Sequence, residues 1–272
     1  FEPRTQASIA VSADGVRWSI VNASPDVRDQ LAHFAALQPR PGTRDIPLDT
    51  ILLTNADVDH VLGLLALRES LPYRIVSTPF VRNALLDHNA LLQLLEPAWG
   101  IAKLDQPVML DRDGHLEARF FPVPGKVPAW LAKLASNEPE TTVGVRITDL
   151  RSGRRLVYAP GIAKLDAGTL AEFEAASCSF VDGTYFRNDE LSALRPGAPD
   201  ATARSTDGSS DSAVPCRCSV VGLAVTWRDP VSHANECWPG RSGSSTARRC
   251  VWAVRSTRSR TARTASRPSD AI

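Results

Sequence analysis

Four residues hold the densest chemistry in this chain. In "LLTNADVDHVLGLL", Leu52 to Leu65, a leucine-rich run ends in Thr54, and Asn55, Asp57, Asp59 and His60 follow before an apolar pattern resumes. Carboxylates and a neutral imidazole are donors that a divalent cation takes. Spaced at x, x+2, x+4 and x+5 on the turn between a buried strand and a helix, such side chains can converge on one ion. The C-terminal end of a parallel strand is also where α/β folds place their chemistry. The same residues have plainer uses. Asp57 or Asp59 can cap the helix that begins near His60, and His60 can be a hydrogen-bonded core histidine. Spacing alone leaves these readings open.

Elsewhere the candidates are thinner. Asp182, in "FVDGTYF", ends an apolar strand and is also a natural turn residue before Gly183. Glu138 and Glu140, in "ASNEPETTVG", read as exposed loop charges. His33 and His88 lie on helices, where a packed or surface histidine is the expected reading, and His115 follows the turn "DRDG" as a solvated residue. Cys178 opens a buried strand and reads as a small core residue. "SADG", Ser12 to Gly15, is a hairpin turn rather than a phosphate loop. The chain contains no G-x-G-x-x-G, P-loop or nucleophile-elbow motif.

Strands alternating with helices must position the turn. "VRWSIVN" reads as a strand, and "SPDVRDQLAHFAALQ" as a helix with Ser24 at the N-cap and Pro25 at the first helical position. Val27, Leu31, Phe34 and Leu37 share its apolar face. "PLDTILLT" is a short buried strand. "HVLGLLALRESL" is a helix with Leu62, Leu65 and Leu67 among its apolar positions. "YRIVSTP" is a strand and "FVRNALLDHNALLQLLE" an apolar helix. "HLEARFFPV", "TTVGVRITD" and "RLVYAPG" read as strands, the last two joined by the turn "LRSGR". "DAGTLAEFEAAS" is a helix and "CSFVDGTYF" a final strand. This pattern predicts a layered α/β fold.

Composition divides the chain in two. Residues 1–190 carry 19 Lys and Arg against 24 Asp and Glu, whereas residues 191–272 carry 12 Arg, no Lys and 6 acids. The second part has no Phe or Tyr and holds Cys216, Cys218, Cys237 and Cys250, whose spacing matches no metal-ligand pattern well. Its Ser, Thr, Ala and Arg runs lack apolar periodicity. With no Lys and few aromatic residues to stack bases, it is a poor nucleic-acid arm. It reads either as a disordered basic tail or, the favoured reading, as a GC-rich gene translated in the wrong frame. No apolar run approaches the roughly 20 residues of a membrane span, and "FEPRTQASIAV" lacks a signal-peptide layout. The expected compartment is the cytoplasm, with no nucleic-acid or membrane partner.

"LLTNADVDHVLGL" resembles the signature turn of the metallo-β-lactamase superfamily, T-H-x-H-x-D-H-x-x-G-L. Asn55 and Asp57 stand where the first two histidines would be, and Asp59, His60, Gly63 and Leu64 keep their places. With "RTQASIAVSADGVRW", "NASPDVRDQL", "TTVGVRITD", "YAPGIAKLD" and "FVDGTYFRNDEL", the turn is similar to one branch, the B family of pyrroloquinoline quinone (PQQ) biosynthesis, over about residues 4–191.

The resemblance implies an αββα sandwich in residues 1–190, lacking its first strand and the family's structural zinc site, with residues 191–272 outside the pattern. It implies metal ligation, and a catalytic part, for Asp59 and His60. Asp182 belongs at the active-site rim, as a ligand or as an acceptor for a ligand histidine, and Asp57 is a further weak ligand or a cap. A second imidazole, which the family would draw from its C-terminal segment, would complete the facial set suited to non-haem iron, and hydroxylating a phenol with O2 favours iron over zinc. The implied reaction is oxidation of a tyrosine-containing, dipeptide-like intermediate. The implied alternatives are a non-catalytic carrier of the quinone or its precursor and, more weakly, a metal-dependent hydrolase. A homodimer is an open expectation. His233, in "DPVSHANECW", has no family context. Missing first and last strands would leave sheet edges uncovered and the chain unstable or inactive.

Overall fold

Apolar runs too short for helices, bounded by Gly, Pro and Asp, build two sheets. A computed structural model of the chain describes residues 8–39, 42–43, 46–68, 72–181 and 223–226. β1 (Ile9–Ser12) and β2 (Trp18–Val21) form an antiparallel hairpin. Its turn supplies its own acceptors: Ser12 Oγ takes the Gly15 N–H at 2.7 Å, and Asp14 Oδ1 takes those of Val16 and Arg17 at 2.7 and 2.9 Å. β3 (Leu48–Leu52), β4 (Arg74–Ser77) and β5 (Trp99–Ile101) extend the sheet in parallel.

The second sheet holds β6 (Val108–Met109), β7 (Leu116–Pro122), β8 (Val143–Asp149), β9 (Arg155–Ala159) and β10 (Cys178–Val181), in the order β10-β9-β8-β7-β6. Its pairs are antiparallel except β9 with β10. β11 (Leu223–Thr226) lies parallel to β1, so the first sheet runs β11-β1-β2-β3-β4-β5.

Strand alternation then fixes three apolar layers. Ile9, Val11, Val21, Leu52 and Val76 of the first sheet meet Leu116, Phe120, Val145, Ile147 and Tyr158 of the second. The outer face of the first sheet, with Trp18, Ile20, Leu48, Ile51 and Ile75, is covered by α1 (Val27–His33), α2 (Val58–Val61), α3 (Gly63–Leu67) and α4 (Pro79–His88). Phe121, Val157 and Ala159 on the outer face of the second meet Phe173 of α5 (Ala167–Glu174). Leu48 and Ile51 share a face although three residues apart, because the register slips between Trp18 and Ser19 and leaves Asp49 as an extra residue. Ile51 and Leu52 are fully buried on opposite faces; truncating either to Ala costs about 2–5 kcal/mol.

The order of layers is helix, sheet, sheet, helix, as expected. Several local expectations fail. α1 begins at Val27 with Asp26 in the cap position, and Ser24 and Pro25 precede it. Ser24 is buried and its hydroxyl accepts no cap hydrogen bond; its carbonyl instead accepts the Val27 N–H at 3.0 Å. The helix expected from His60 onward is broken between α2 and α3, and Leu62 is 44% exposed; Leu64 and Leu67 carry the buried face. The apolar helix after β4 stops at His88, where Asn89 is extended, and a 3-10 segment follows over Leu92–Ala98. β5 and β6 were not expected. In residues 191–272, no strand was expected either, yet β11 covers the outer edge of β1. Among the described residues no helix is long and apolar enough to cross a membrane.

Candidate metal centre

The turn after β3 has left the sheet, so each of its backbone polar groups needs a partner elsewhere. Leu53 N–H donates to Val76 C=O at 3.0 Å, and Thr54 C=O accepts the Val143 N–H at 2.8 Å, which joins the turn to the other sheet. Thr54 N–H and Oγ1 both reach Asn22 Oδ1, at 3.0 and 3.1 Å. Asn22 sits at φ 63°, a left-handed backbone that asparagine tolerates better than most residues. Ala56 C=O accepts the Trp130 indole N–H at 2.8 Å.

This frame brings together Asp57, Asp59 and His60. One donor atom from each lies within 4.8 Å of the other two. Donors around a single ion at about 2.1 Å lie roughly 3–4 Å apart, which a carboxylate rotation reaches, so the set fits a divalent cation. Asp57 occupies the cap position of α2, but its carboxylate accepts no cap hydrogen bond. Burial pushes its carboxyl above the ordinary range; the nearby His60 opposes the shift and Asp59 adds to it. Asp59 is exposed and His60 is 4% exposed. His60 Nδ1 lies 2.7 Å from Asn55 Oδ1, which also accepts the Asp57 N–H at 3.0 Å.

A cleft of 390 Å³ opens beside the carboxylates, lined by Pro25, Asp57, Val58, Asp59, Ala129 and Trp130. His88 packs edge-on against Trp130, with ring centroids 6.5 Å apart at 75°. Two carboxylates and an aromatic ring lining one cleft suit a ligand that couples a cation contact to a flat hydrophobic body.

Among the residues singled out from sequence, Asp59 and His60 come together with Asp57, while Asp182 and His233 lie outside the described residues. Asn55 contacts His60, a role the spacing did not disclose. Trp130 and Asn22 were also missed. Glu138 is exposed, and Glu140 lends only its carbonyl, to the Thr78 hydroxyl at 2.8 Å. His33 is exposed at the end of α1. Cys178 is half-buried against the inter-sheet core. His115 is half-buried with its side chain 37% exposed, and with Asp111 and Asp113 it forms a second group whose donors lie within 4.8 Å of one another.

The fold and the remodelled turn define the class. Residues 17–213 match the description of a beta-lactamase superfamily domain. Coenzyme PQQ synthesis protein B of Methylobacterium nodulans is 41% identical over 208 residues, 74% of this chain and 67% of that protein. The Pseudomonas putida F1 protein of the same name is 35% identical over 206 residues, with the same shares covered. Zn(2+)-bound PqqB from Methylobacterium extorquens, a crystal structure, superposes with a TM-score of 0.66 at 38% identity, covering 73% of this chain and 67% of the other. The chain belongs to the coenzyme PQQ synthesis protein B family within that superfamily.

Proposed function

We propose that this chain acts in pyrroloquinoline quinone biosynthesis, as the metal-holding domain that oxidises a tyrosine-containing intermediate. The observation that carries the reading is the convergence of Asp57, Asp59 and His60 beside an aromatic-walled cleft, with Asn55 and Asp57 where a two-metal hydrolase has histidines. One divalent ion is held rather than two, which disfavours water activation between paired metals.

The residues divide the work. Asp57, Asp59 and His60 hold the ion, and Asp182 is a further proposed ligand or acceptor at the rim. When bound, a redox-active ion such as iron supplies the O2 activation that hydroxylating a phenol needs; the zinc of the M. extorquens relative shows that a PqqB can hold a divalent metal. Trp130, fixed through its indole N–H, and Pro25 present a flat wall where a phenol ring can lie.

The test is oxygen consumption by the Fe(II)-loaded chain with the dipeptide Glu-Tyr, ascorbate supplying the electrons that hydroxylation by O2 requires. Consumption that depends on dipeptide and is lost in His60→Ala supports the reading. The carrier alternative is favoured by there being one imidazole in the donor set among the described residues. Tight quinone binding by the iron-loaded protein with no oxygen uptake would establish the carrier and sink the oxidase.

A further inference from the structure

We propose that Asn55 is a positioning residue for the metal centre: it holds His60 as the tautomer protonated on Nδ1 and so keeps the ligating lone pair on Nε2. The consequence for the metal rests on the proposed function above, but the tautomer assignment does not.

The assignment follows from a donor that has no alternative. A backbone N–H can only donate, and that of Asp57 points at the Asn55 amide atom 3.0 Å away. That atom is therefore the oxygen, and the side-chain orientation is fixed by the main chain. The same oxygen lies 2.7 Å from His60 Nδ1. An amide oxygen cannot donate, so Nδ1 carries the proton. In the neutral ring this leaves the lone pair on Nε2, and an imidazole whose other nitrogen is held in this way is the usual form of a metal-ligating histidine.

Two further features fit a residue kept for its oxygen. Asn55 is fully buried, yet its Nδ2 has no hydrogen-bond partner among the described residues, a loss that an apolar side chain of the same shape would avoid. The amide is also enclosed: a Cβ at Gly161 would stand 3.3 Å from Nδ2, and Gly161 has φ 72°. The position that provides the superfamily's first histidine ligand thus acts here from outside the metal's shell, through His60.

Long-range 1H–15N spectra of the metal-free full chain at pH 8 read the tautomer directly, with His60 assigned by the loss of its signals in His60→Gln among the five histidines. The expected result is a single Nδ1–H tautomer in the wild type, retained in Asn55→Asp, whose carboxylate accepts the same two donors, and mixed or reversed in Asn55→Leu. Co(II) affinity, read by competition with a chromophoric chelator, should be kept within a few-fold in Asn55→Asp and fall about 10–100-fold in Asn55→Leu. An Nε2–H tautomer in the wild type overturns the proposal, and so does an Asn55→Leu protein with the wild-type tautomer and affinity. Should Asn55→Leu fail to fold, the wild-type and Asn55→Asp spectra still decide. Absence of Co(II) binding by the wild type defeats the metal reading while leaving the tautomer result standing.

Discussion

Among the described residues two triads share one composition, and they differ in what their carboxylates already do. Asp57, Asp59 and His60 stand on the turn after β3; Asp111, Asp113 and His115 stand on the hairpin between β6 and β7. In the second, Asp111 Oδ1 accepts the N–H groups of His115 and Leu116 at 3.0 and 2.7 Å, and His115 Nδ1 lies 3.5 Å from Asp111 Oδ2. That carboxylate closes a turn in which Gly114 supplies a φ of 72°. In the first, no cap hydrogen bond occupies Asp57, and the imidazole is buried and held from outside by Asn55. Of two donor sets equally close together, the one whose carboxylates the backbone has not already claimed has more lone pairs to offer a cation.

The largest expected effect separates the two histidines. His60→Ala should weaken Co(II) binding by roughly 100-fold or more, since losing a direct donor exceeds the ~10–100-fold loss of an outer partner. His115→Ala should leave the affinity unchanged, and a comparable fall there, measured by the same chelator competition, would erase the distinction. Stability should show the reverse. Asp111→Ala should lower the unfolding free energy of the metal-free chain by about 1–2 kcal/mol in urea titrations, because two half-buried N–H donors lose their acceptor. Asp59→Ala should change it little.

The smallest effect calibrates a carboxylate committed to backbone. Asp166 caps α5 by accepting the Thr169 N–H at 2.8 Å. Asp166→Ala should cost about 0.5–1 kcal/mol at neutral pH, the low end for a cap because the side chain is exposed. That backbone hydrogen bond holds the Asp166 carboxyl below its ordinary 3.8. A lowered folded value means that the stabilisation is present above the unfolded value and lost as pH falls through the folded one. The difference between Asp166→Ala and wild type should therefore shrink below about pH 4 in acid-unfolding curves.

Where the sequence was legible, the signal was local. The alternation in "RFFPV" and "TTVGVRITD", and the leucine run ahead of Asn55, mark strands because burial repeats every second residue or is continuous. The turn from Asn55 to His60 was legible because ligand types cluster there. What stayed hidden depends on distant partners. Helical periodicity places Leu62 inside, but Gly63 N–H leaves the helix to donate to Ala23 C=O at 2.9 Å, and the break turns Leu62 outward. Ser24 has the chemistry of a cap, but the helix begins at Val27 and puts Asp26 in the cap position. Asn55 looked like a vacated ligand because sequence shows what a residue is and not which atom faces it. Trp130 lies far along the chain from the turn it borders.

The two loops that flank the centre are stitched together at Gly63. Ala23 N–H donates to His60 C=O at 2.7 Å, Gly63 N–H donates back to Ala23 C=O, and a Cβ on Gly63 would stand 2.1 Å from the Ser24 oxygen. The consequence is one of time. The amide protons of Ala23 and Gly63 can exchange with deuterium only when the loops part, and parting them carries His60 away from Asp57 and Asp59. The exchange rate of those two amides is thus a clock for how long the donor set stays assembled between openings.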